Sequence, residues 1–307
     1  MLVVAVPRQA LEDPLPNLPA SPPGRTVAIG AGKGAAQLAA AFERLWPGPL
    51  EGVAVTGRGY ACPTERIKVL AAAHPVPDAA GLAAAAALRA ALRGLGPEGL
   101  VVTLICGGGS ALLPCPSPGL ALADEAALNR ALLASGAPIS EMNAIRKHVS
   151  GIKGGRLALE AWPARVVTLV VSDVPGDDPA QVASGPTLPD PVGLAEARAL
   201  VAARNLRLPP AVAAWLGTEA AAASDPGDPR FARNEVRVIA SARVSLAAAA
   251  AAEAAAREGL PAWILSDALE GEAREISRTH AALIREAAAP GAPFPRPGLL
   301  LSGARPP

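Results

Sequence analysis

Two glycine-rich segments contain residues that could bind an anion. Residues 30–35 read GAGKGA and place Lys33 among glycines, and residues 106–111 read CGGGSA; each follows a short apolar run. Glycines let the backbone approach a phosphate, amides at a helix start point towards it, and a lysine adds a full charge. We therefore predict phosphate contacts here. A plain glycine turn is the alternative for either segment taken singly, and GGGSA lacks the second glycine of the GxSxG hydrolase motif.

The first segment also matches the relaxed dinucleotide pattern GxGxx(G/A). That interpretation requires an acidic residue about 20 positions further on, at the end of the second strand. Glu51 has roughly this spacing but precedes the predicted strand, and the strand is followed by the sequence Thr56-Gly57-Arg58. Dinucleotide binding is therefore disfavoured.

A basic segment, NAIRKHVSGIKGGR, occupies residues 143–156. Arginine can bind a carboxylate or phosphate through two parallel hydrogen bonds, which makes Arg146 a candidate for contact with an anionic ligand. An exposed run of charges is the alternative for the segment taken alone. His148 by itself is as typical of a structural histidine as of a catalytic one.

A third kind of chemistry is indicated by SDVPGDD at residues 172–178, followed by ASGPT at 183–187. Carboxylates on one loop after an apolar strand are ligands that a hard cation such as Mg²⁺ prefers. Asp173, Asp177 and Asp178 are also candidates for a base that acts on a substrate hydroxyl. A simple Asp-Pro-Gly type turn is the alternative. Glycine loops, basic residues and carboxylates together favour phosphoryl transfer, which depends mainly on positioning and charge neutralisation.

The elements that must position these residues alternate between apolar runs and Ala-rich segments. Continuous apolar runs are typical of strands buried on both faces, and their alternation with helices predicts parallel crossovers. We predict an α/β, doubly wound, mostly parallel, Rossmann-like sheet. The predicted strands are 26–29, 52–55, 67–71, 100–105 and 166–171, with helices at 35–45 and 79–95.

A second, smaller unit is predicted after the linker-like sequence SDPGDP at residues 224–229. We expect strands at 235–240, 263–265 and 299–301, with helices at 242–258 and 270–288. A strand so near the end of the chain predicts an incomplete second α/β domain. The predicted domains are therefore 1–229 and 230–307.

Composition excludes several classes of protein. Of the 307 residues, 51% are hydrophobic and the net charge is +1, so that no strong field gathers nucleic acid. Three cysteines without a CxxC pair favour a reducing, cytoplasmic setting. No uninterrupted apolar stretch reaches the ~18 residues of a membrane span. We expect a small-molecule substrate, no nucleic acid or membrane partner, and leave a homodimer open.

Five motifs in order resemble the glycerate 2-kinase family that carries a MOFRL domain: GAGKGAA, AHPVPDAAG, GGGSALLPCP, SGAPISEMNAIRKHVSGIKGGRLA and SDVPGDDPAQVASGPTLPDP. The resemblance covers about residues 25–302 and implies ATP- and Mg²⁺-dependent phosphorylation of D-glycerate at its 2-hydroxyl. It implies catalytic roles for Lys33, Asp173 and Arg146. It further implies phosphate or nucleotide binding by Gly30, Gly32, Gly107, Gly108, Gly109, Ser110 and Lys153, substrate binding by Asn143, Lys147, Ser184 and Thr187, and metal binding by Asp173 and Asp177.

The chain departs from the family pattern at its end, where Ala304-Arg305-Pro306-Pro307 replaces the continuation of an LLSGGE segment. We therefore expect a chain truncated before the family's C-terminal domain. Two alternatives stay open beside an active kinase. One is an inactive remnant that binds a nucleotide or sugar acid. The other, ranked last, is an NAD(P)H-dependent hydroxypyruvate reductase, a name that many family members carry.

Overall fold

The computed structural model describes residues 18–189, 191–241, 262–270, 273–287, 289 and 299–305. These residues divide into two compact units. The larger unit contains the described residues up to Val171 and the segment Pro179–Ile239. The smaller unit contains the loop Ser172–Asp178 and the described residues from Ala240 onward.

A six-stranded sheet forms the centre of the larger unit. Its strands are β1 (Thr26–Ala31), β2 (Glu51–Gly57), β3 (Ile67–Ala72), β4 (Leu100–Cys106), β5 (Arg165–Val171) and β6 (Glu235–Ala240), in the spatial order β3-β2-β1-β4-β5-β6. The four pairings among β1 to β5 are all parallel. Both β1 and β4 are buried along their whole length, which explains their continuous apolar sequences. This is the doubly wound order, and the predicted fold class is confirmed.

Helices connect the strands and cover the sheet. Those of the larger unit are α1 (Ala35–Leu45), α2 (Ala79–Ala91), α3 (Gly109–Leu112), α4 (Leu122–Ala134), α5 (Ile139–His148), α6 (Arg156–Ala161), α7 (Leu194–Ala203) and α8 (Pro210–Leu216). Asp78 caps α2 by accepting a hydrogen bond from the Gly81 amide. The helix ends at Ala91 rather than at residue 95, shortly before Gly94 with its φ of 73°.

Two hydrophobic clusters stabilise this arrangement. One packs Leu38 and Phe42 of α1 against strand residues such as Val102 and Val167. The other joins four helices, α4, α5, α7 and α8, through residues that include Leu132 and Ile145. In α1 the apolar residues recur every three or four positions, so that one face of the helix is buried.

The smaller unit contains a second, two-stranded sheet. Strand β7 (Ala262–Glu270) pairs in parallel with β8 (Leu299–Arg305), and helix α9 (Ala273–Ala287) lies between them in the chain. The ring Nε2 of His280 on α9 lies 2.6 Å from the Ser302 hydroxyl on β8. The predicted strands at 263–265 and 299–301 are thus confirmed, and the helix predicted at 270–288 is confirmed over Ala273–Ala287, whereas Glu270 is the last residue of β7. The predicted helix at 242–258 falls outside the described residues.

Strand β6 belongs to the large sheet, although the sequence analysis assigned it to the second domain. It lies beside β5, and Asn234 at its start accepts a hydrogen bond from the Val166 amide at 3.2 Å. Strand pairing is a long-range contact, which a linker-like composition at residues 224–229 does not reveal. The division into domains at residue 229 stays a prediction. Within the described part of the chain, no helix combines the length and apolar character needed to cross a membrane.

Replacement of Gly52 by alanine should destabilise the sheet, because a Cβ at this position would lie 1.9 Å from the Ala28 carbonyl oxygen on β1. We expect a loss of about 1–3 kcal/mol in the free energy of unfolding, measured by urea titration. The matched control is Gly96→Ala, since a Cβ at that position would meet no atom of the described residues within 4 Å, its own chain neighbours aside. Equal stability of the two variants would contradict the tight β1–β2 packing.

Candidate functional site

The two glycine-rich segments lie side by side at the carboxyl ends of neighbouring strands. Ala31 at the end of β1 pairs with Ile105 on β4, and beyond the sheet the Lys33 amide donates to the Gly107 carbonyl at 2.8 Å. The strand order reverses between β1 and β4, and ligands of doubly wound sheets bind at this reversal.

The amides of the first segment are already occupied by protein acceptors. Gly32 donates to the Val55 carbonyl at 3.1 Å, Lys33 to Gly107, and Gly34 to the Cys106 sulfur at 3.1 Å. We predicted from the sequence that amides at the start of this helix point at an anion; in the structure, neighbouring strand ends supply the acceptors of these three amides. What this segment presents to a ligand is the exposed side chain of Lys33. Phosphate contacts from Gly30 and Gly32 stay predictions.

The second segment has amides to offer. Gly108 has a φ of 86°, and α3 begins directly after it. Among the described residues no acceptor faces the amides of Gly108, Gly109 and Ser110. A Cβ at Gly108 would lie 3.1 Å from the His74 ring and 3.2 Å from Cγ of Lys33. A side chain at Gly108 would therefore crowd His74 and Lys33, so that glycine keeps this backbone open to contact with a phosphate oxygen beside the lysine.

A cavity of about 260 Å³ opens beside Lys33. Its lining includes Arg58, Tyr60 and His74, so that its charged side chains are basic. No role was predicted for Arg58 or His74 from the sequence. Two features of the sequence indicate these residues: Arg58 directly follows β2, and His74 lies within the motif AHPVPDAAG.

A polar cluster forms around Arg146. Its guanidinium donates to Asn129 on α4 and, at 3.3 Å, to Asn143. Asn143 also accepts from the Ser184 hydroxyl at 2.8 Å, and Ser184 in turn lies 2.7 Å from the Ser110 hydroxyl. Burial lowers the pKa of Arg146 to about 10. The structure thus brings together four residues that the sequence predicted separately.

Lys153 carries a different set of contacts. It is 2% exposed, and its ammonium lies 2.7 Å from Glu125 on α4 while also donating to the Leu113 carbonyl. The other oxygen of Glu125 accepts from the Cys115 amide at 3.0 Å. The lysine charge is therefore paired inside the protein. Glu125 and Asn129 were not predicted as site residues, because nothing in the sequence distinguishes them from other polar residues of a helix.

Three more predicted residues are buried in protein contacts. Lys147 is 1% exposed, and its side chain packs over Gly154. His148 is fully buried, and its two ring nitrogens face the backbone carbonyls of Ala221 and Val192, which indicates a structural role. The Thr187 hydroxyl lies 2.7 Å from that of Thr168 on β5. Substrate binding by Lys147 and Thr187 stays a prediction.

The two aspartates predicted to bind metal lie on the loop Ser172–Asp178 of the smaller unit. Asp173 is exposed, and Asp177 follows Gly176 with both residues in the left-handed region at φ 55° and 80°. No cluster of three His, Cys, Asp or Glu side chains suited to a metal occurs in the described ranges. Mg²⁺ commonly takes one or two protein carboxylates together with substrate phosphates, so that this donor set fits it.

Comparisons with known proteins identify relatives of this chain. The family model described as "Domain of unknown function (DUF4147)" matches residues 3–217. A protein from Agrobacterium vitis, provisionally named hydroxypyruvate reductase, is 50% identical over 290 residues, which are 94% of this chain and 64% of that protein. A glycerate 2-kinase from Pyrococcus horikoshii is 34% identical over 295 residues, which are 91% of this chain and 63% of that protein.

A crystal structure of glycerate kinase from Thermotoga maritima superposes with a TM-score of 0.82 at 30% identity, covering 99% of this chain and 71% of that one. The chain is therefore an α/β protein of the DUF4147 class. It belongs to the glycerate 2-kinase family, as its motifs predicted. It spans slightly less than two thirds of the length of the Agrobacterium and Pyrococcus relatives.

The Lys153–Glu125 pair should behave as a structural unit. Lys153→Met leaves a buried carboxylate without its partner and should cost about 3–5 kcal/mol of unfolding free energy. The double variant Glu125→Gln/Lys153→Met should lose much less than the sum of the single changes. Urea unfolding of the four proteins measures this coupling, and the exposed pair Arg204–Glu141 is the control, with a far smaller coupling expected. Additive single effects would contradict the buried pairing.

Proposed function

We propose that this chain is the main part of a glycerate kinase, which transfers a phosphoryl group from ATP to the 2-hydroxyl of D-glycerate with the help of Mg²⁺. One observation carries the proposal: where the strand order reverses, Lys33 lies together with the amides of Gly108, Gly109 and Ser110, for which the described part of the chain supplies no acceptor. Positive charge and fixed amide dipoles are what a transferred phosphoryl group requires. The names of the Pyrococcus and Thermotoga relatives support it.

Separate groups of residues would bind the phosphate, the sugar acid and the metal ion. Lys33 and the amides that follow β4 would bind phosphate oxygens and neutralise charge as it develops in the transition state. The Arg146 cluster, joined to α3 through the Ser110–Ser184 contact, would orient the sugar acid. On the loop Ser172–Asp178 of the smaller unit, Asp173 and Asp177 would hold Mg²⁺, a cation that prefers carboxylate oxygens.

The reductase alternative lacks its most specific residue. A dinucleotide site requires an acid at the carboxyl end of β2, where Gly57 and Arg58 stand instead. Glu51 begins β2 at the opposite end, and Arg25 holds its carboxylate at 2.6 Å. The occupied amides of the first glycine segment are a second argument against a pyrophosphate at that loop.

Replacement of Lys33 by methionine should lower turnover about 10²–10³-fold, because one charged contact to the transferred group is worth that much. The measurement is glycerate-dependent release of ADP by the 307-residue chain. Lys68→Met is the matched control, since Lys68 is exposed near the amino end of β3, opposite to the carboxyl ends of the strands. Full turnover in Lys33→Met would contradict the role of the lysine, and absence of glycerate-dependent ADP release from the parent would overturn the proposed function.

Asparagine at position 173 or 177 removes a carboxylate charge with little change in shape. We expect either variant to require a higher Mg²⁺ concentration for half-maximal turnover, or to lose turnover, while its circular dichroism matches that of the parent. Asp225→Asn, on an exposed turn, is the control. Mg²⁺ titrations that coincide with the parent for both variants would show that these aspartates only form the turn.

A further inference from the structure

A chain of three polar side chains, Ser110, Ser184 and Asn143, links α3 to α5. The hydroxyls of Ser110 and Ser184 lie 2.7 Å apart, and the Ser184 hydroxyl lies 2.8 Å from Oδ1 of Asn143. Each hydroxyl has a single hydrogen to donate. The direction of every bond in the chain is therefore determined once one end is fixed.

Asn143 determines the direction of the hydrogen bonds in this chain of side chains. Its Nδ2 lies 2.9 Å from the Gln181 carbonyl oxygen, which can only accept, so that the amide nitrogen must be on that side. Oδ1 consequently faces Ser184 and also accepts from Arg146. Since this oxygen has no hydrogen, Ser184 donates its own hydrogen to Asn143. Ser110 must then donate to Ser184, and the Ser110 oxygen retains only the capacity to accept.

The backbone holds Ser184 in this position. Ala183, Ser184 and Gly185 all have φ values between 55° and 60°, and left-handed conformations at the two non-glycine residues are strained. The turn packs so closely on α3 that a Cβ at Gly109 would lie 2.6 Å from that of Ala183. Ser184 is fully buried. The turn therefore fixes the position of the Ser184 hydroxyl between Ser110 and Asn143.

A small cavity lies beside Ser110, with a volume of about 10 Å³. This volume suffices for one oxygen atom of the size of a water molecule. Arg146 also lines the cavity, and its Nε is buried without an acceptor among the described residues. Glu125, Asn129 and Lys153 line the cavity as well, and they have protein partners: Lys153 donates to Glu125 and to the Leu113 carbonyl, and Asn129 contacts Arg146 and the Pro75 carbonyl. Beside these paired groups, the Ser110 oxygen can accept one hydrogen and Arg146 Nε can donate one. An alcohol, which both donates and accepts, is the matching group, whereas a phosphate or carboxylate oxygen has no hydrogen for Ser110.

We propose that this cavity receives the substrate hydroxyl that is not phosphorylated, with Ser110 accepting its hydrogen and Arg146 donating to its oxygen. A space for one oxygen leaves no room for phosphorus to approach, so that the reacting hydroxyl lies elsewhere. This inference rests on the proposed function, under which the enclosed group is the 3-hydroxyl of glycerate. The Ser110 hydroxyl then recognises the sugar acid, while the phosphate contact proposed above is made by the backbone amide of the same residue.

The test compares two acids that differ in one hydroxyl. D-Glycerate and D-lactate, which lacks the 3-hydroxyl, are titrated calorimetrically into the parent chain and into Ser110→Ala. A polar group left without its partner weakens binding substantially, so we expect the parent to bind glycerate about tenfold more tightly than lactate. Ser110→Ala should weaken glycerate binding about tenfold and change lactate binding less than about twofold.

The control variant is Ser135→Ala, which removes a hydroxyl that donates to the Leu132 carbonyl at the end of α4. It should bind both acids like the parent. Equal affinities of the parent for the two acids, or equal weakening of both by Ser110→Ala, overturn the inference. Selective loss of glycerate affinity in Ser110→Ala, without glycerate-dependent ADP release by the parent, would support the hydroxyl site and overturn the kinase function alone. A parent chain that binds neither acid overturns both.

Discussion

The contact between the two glycine-rich segments is the constraint on which the site depends. The Lys33 amide donates to Gly107, and the Gly34 amide donates to the Cys106 sulfur, so that the chain leaving β1 is held against the end of β4. A side chain at Gly32 would place its Cβ 2.4 Å from the Cys106 carbonyl oxygen. Glycine is thus required there by close packing of two backbones, and Lys33 projects from a segment that has little freedom to move.

Asn129 on helix α4 connects the cavity beside Lys33 with the polar cluster around Arg146. Asn129 accepts from Arg146 with its oxygen and donates to the Pro75 carbonyl at 3.1 Å with its nitrogen. Pro75 follows His74, which lines the cavity beside Lys33. One amide side chain therefore joins the basic cavity to the polar cluster, and both lie within the larger unit.

Burial explains why the basic segment at 143–156 is more than a solvated helix face. Charges removed from water must be paired or hydrogen-bonded, and Lys153 meets Glu125 for this reason. Arg156 donates to the backbone carbonyls of Lys147 and Ala222. Arg146 differs, since its Nε faces no acceptor within the described residues, and this leaves it available to a ligand.

The amino-acid sequence by itself determined the local elements and the family. Apolar runs and Ala-rich segments predicted the positions of β1, β4 and β5, because strands buried on both faces must be continuously apolar. The order of five motifs predicted the kinase family, since each motif is local in the chain.

Only the tertiary structure decided which partner each polar group meets. Nothing in the segment GAGKG shows that its amides are used by Val55, Gly107 and Cys106, and nothing in the helix sequence marks Glu125 as the partner of Lys153. The hydrogen-bond direction at Ser110 likewise follows from Gln181, 71 positions away in the numbering (181 − 110). Long-range pairing sets these partners, and it is determined by how the strands and helices pack rather than by neighbouring residues in the chain.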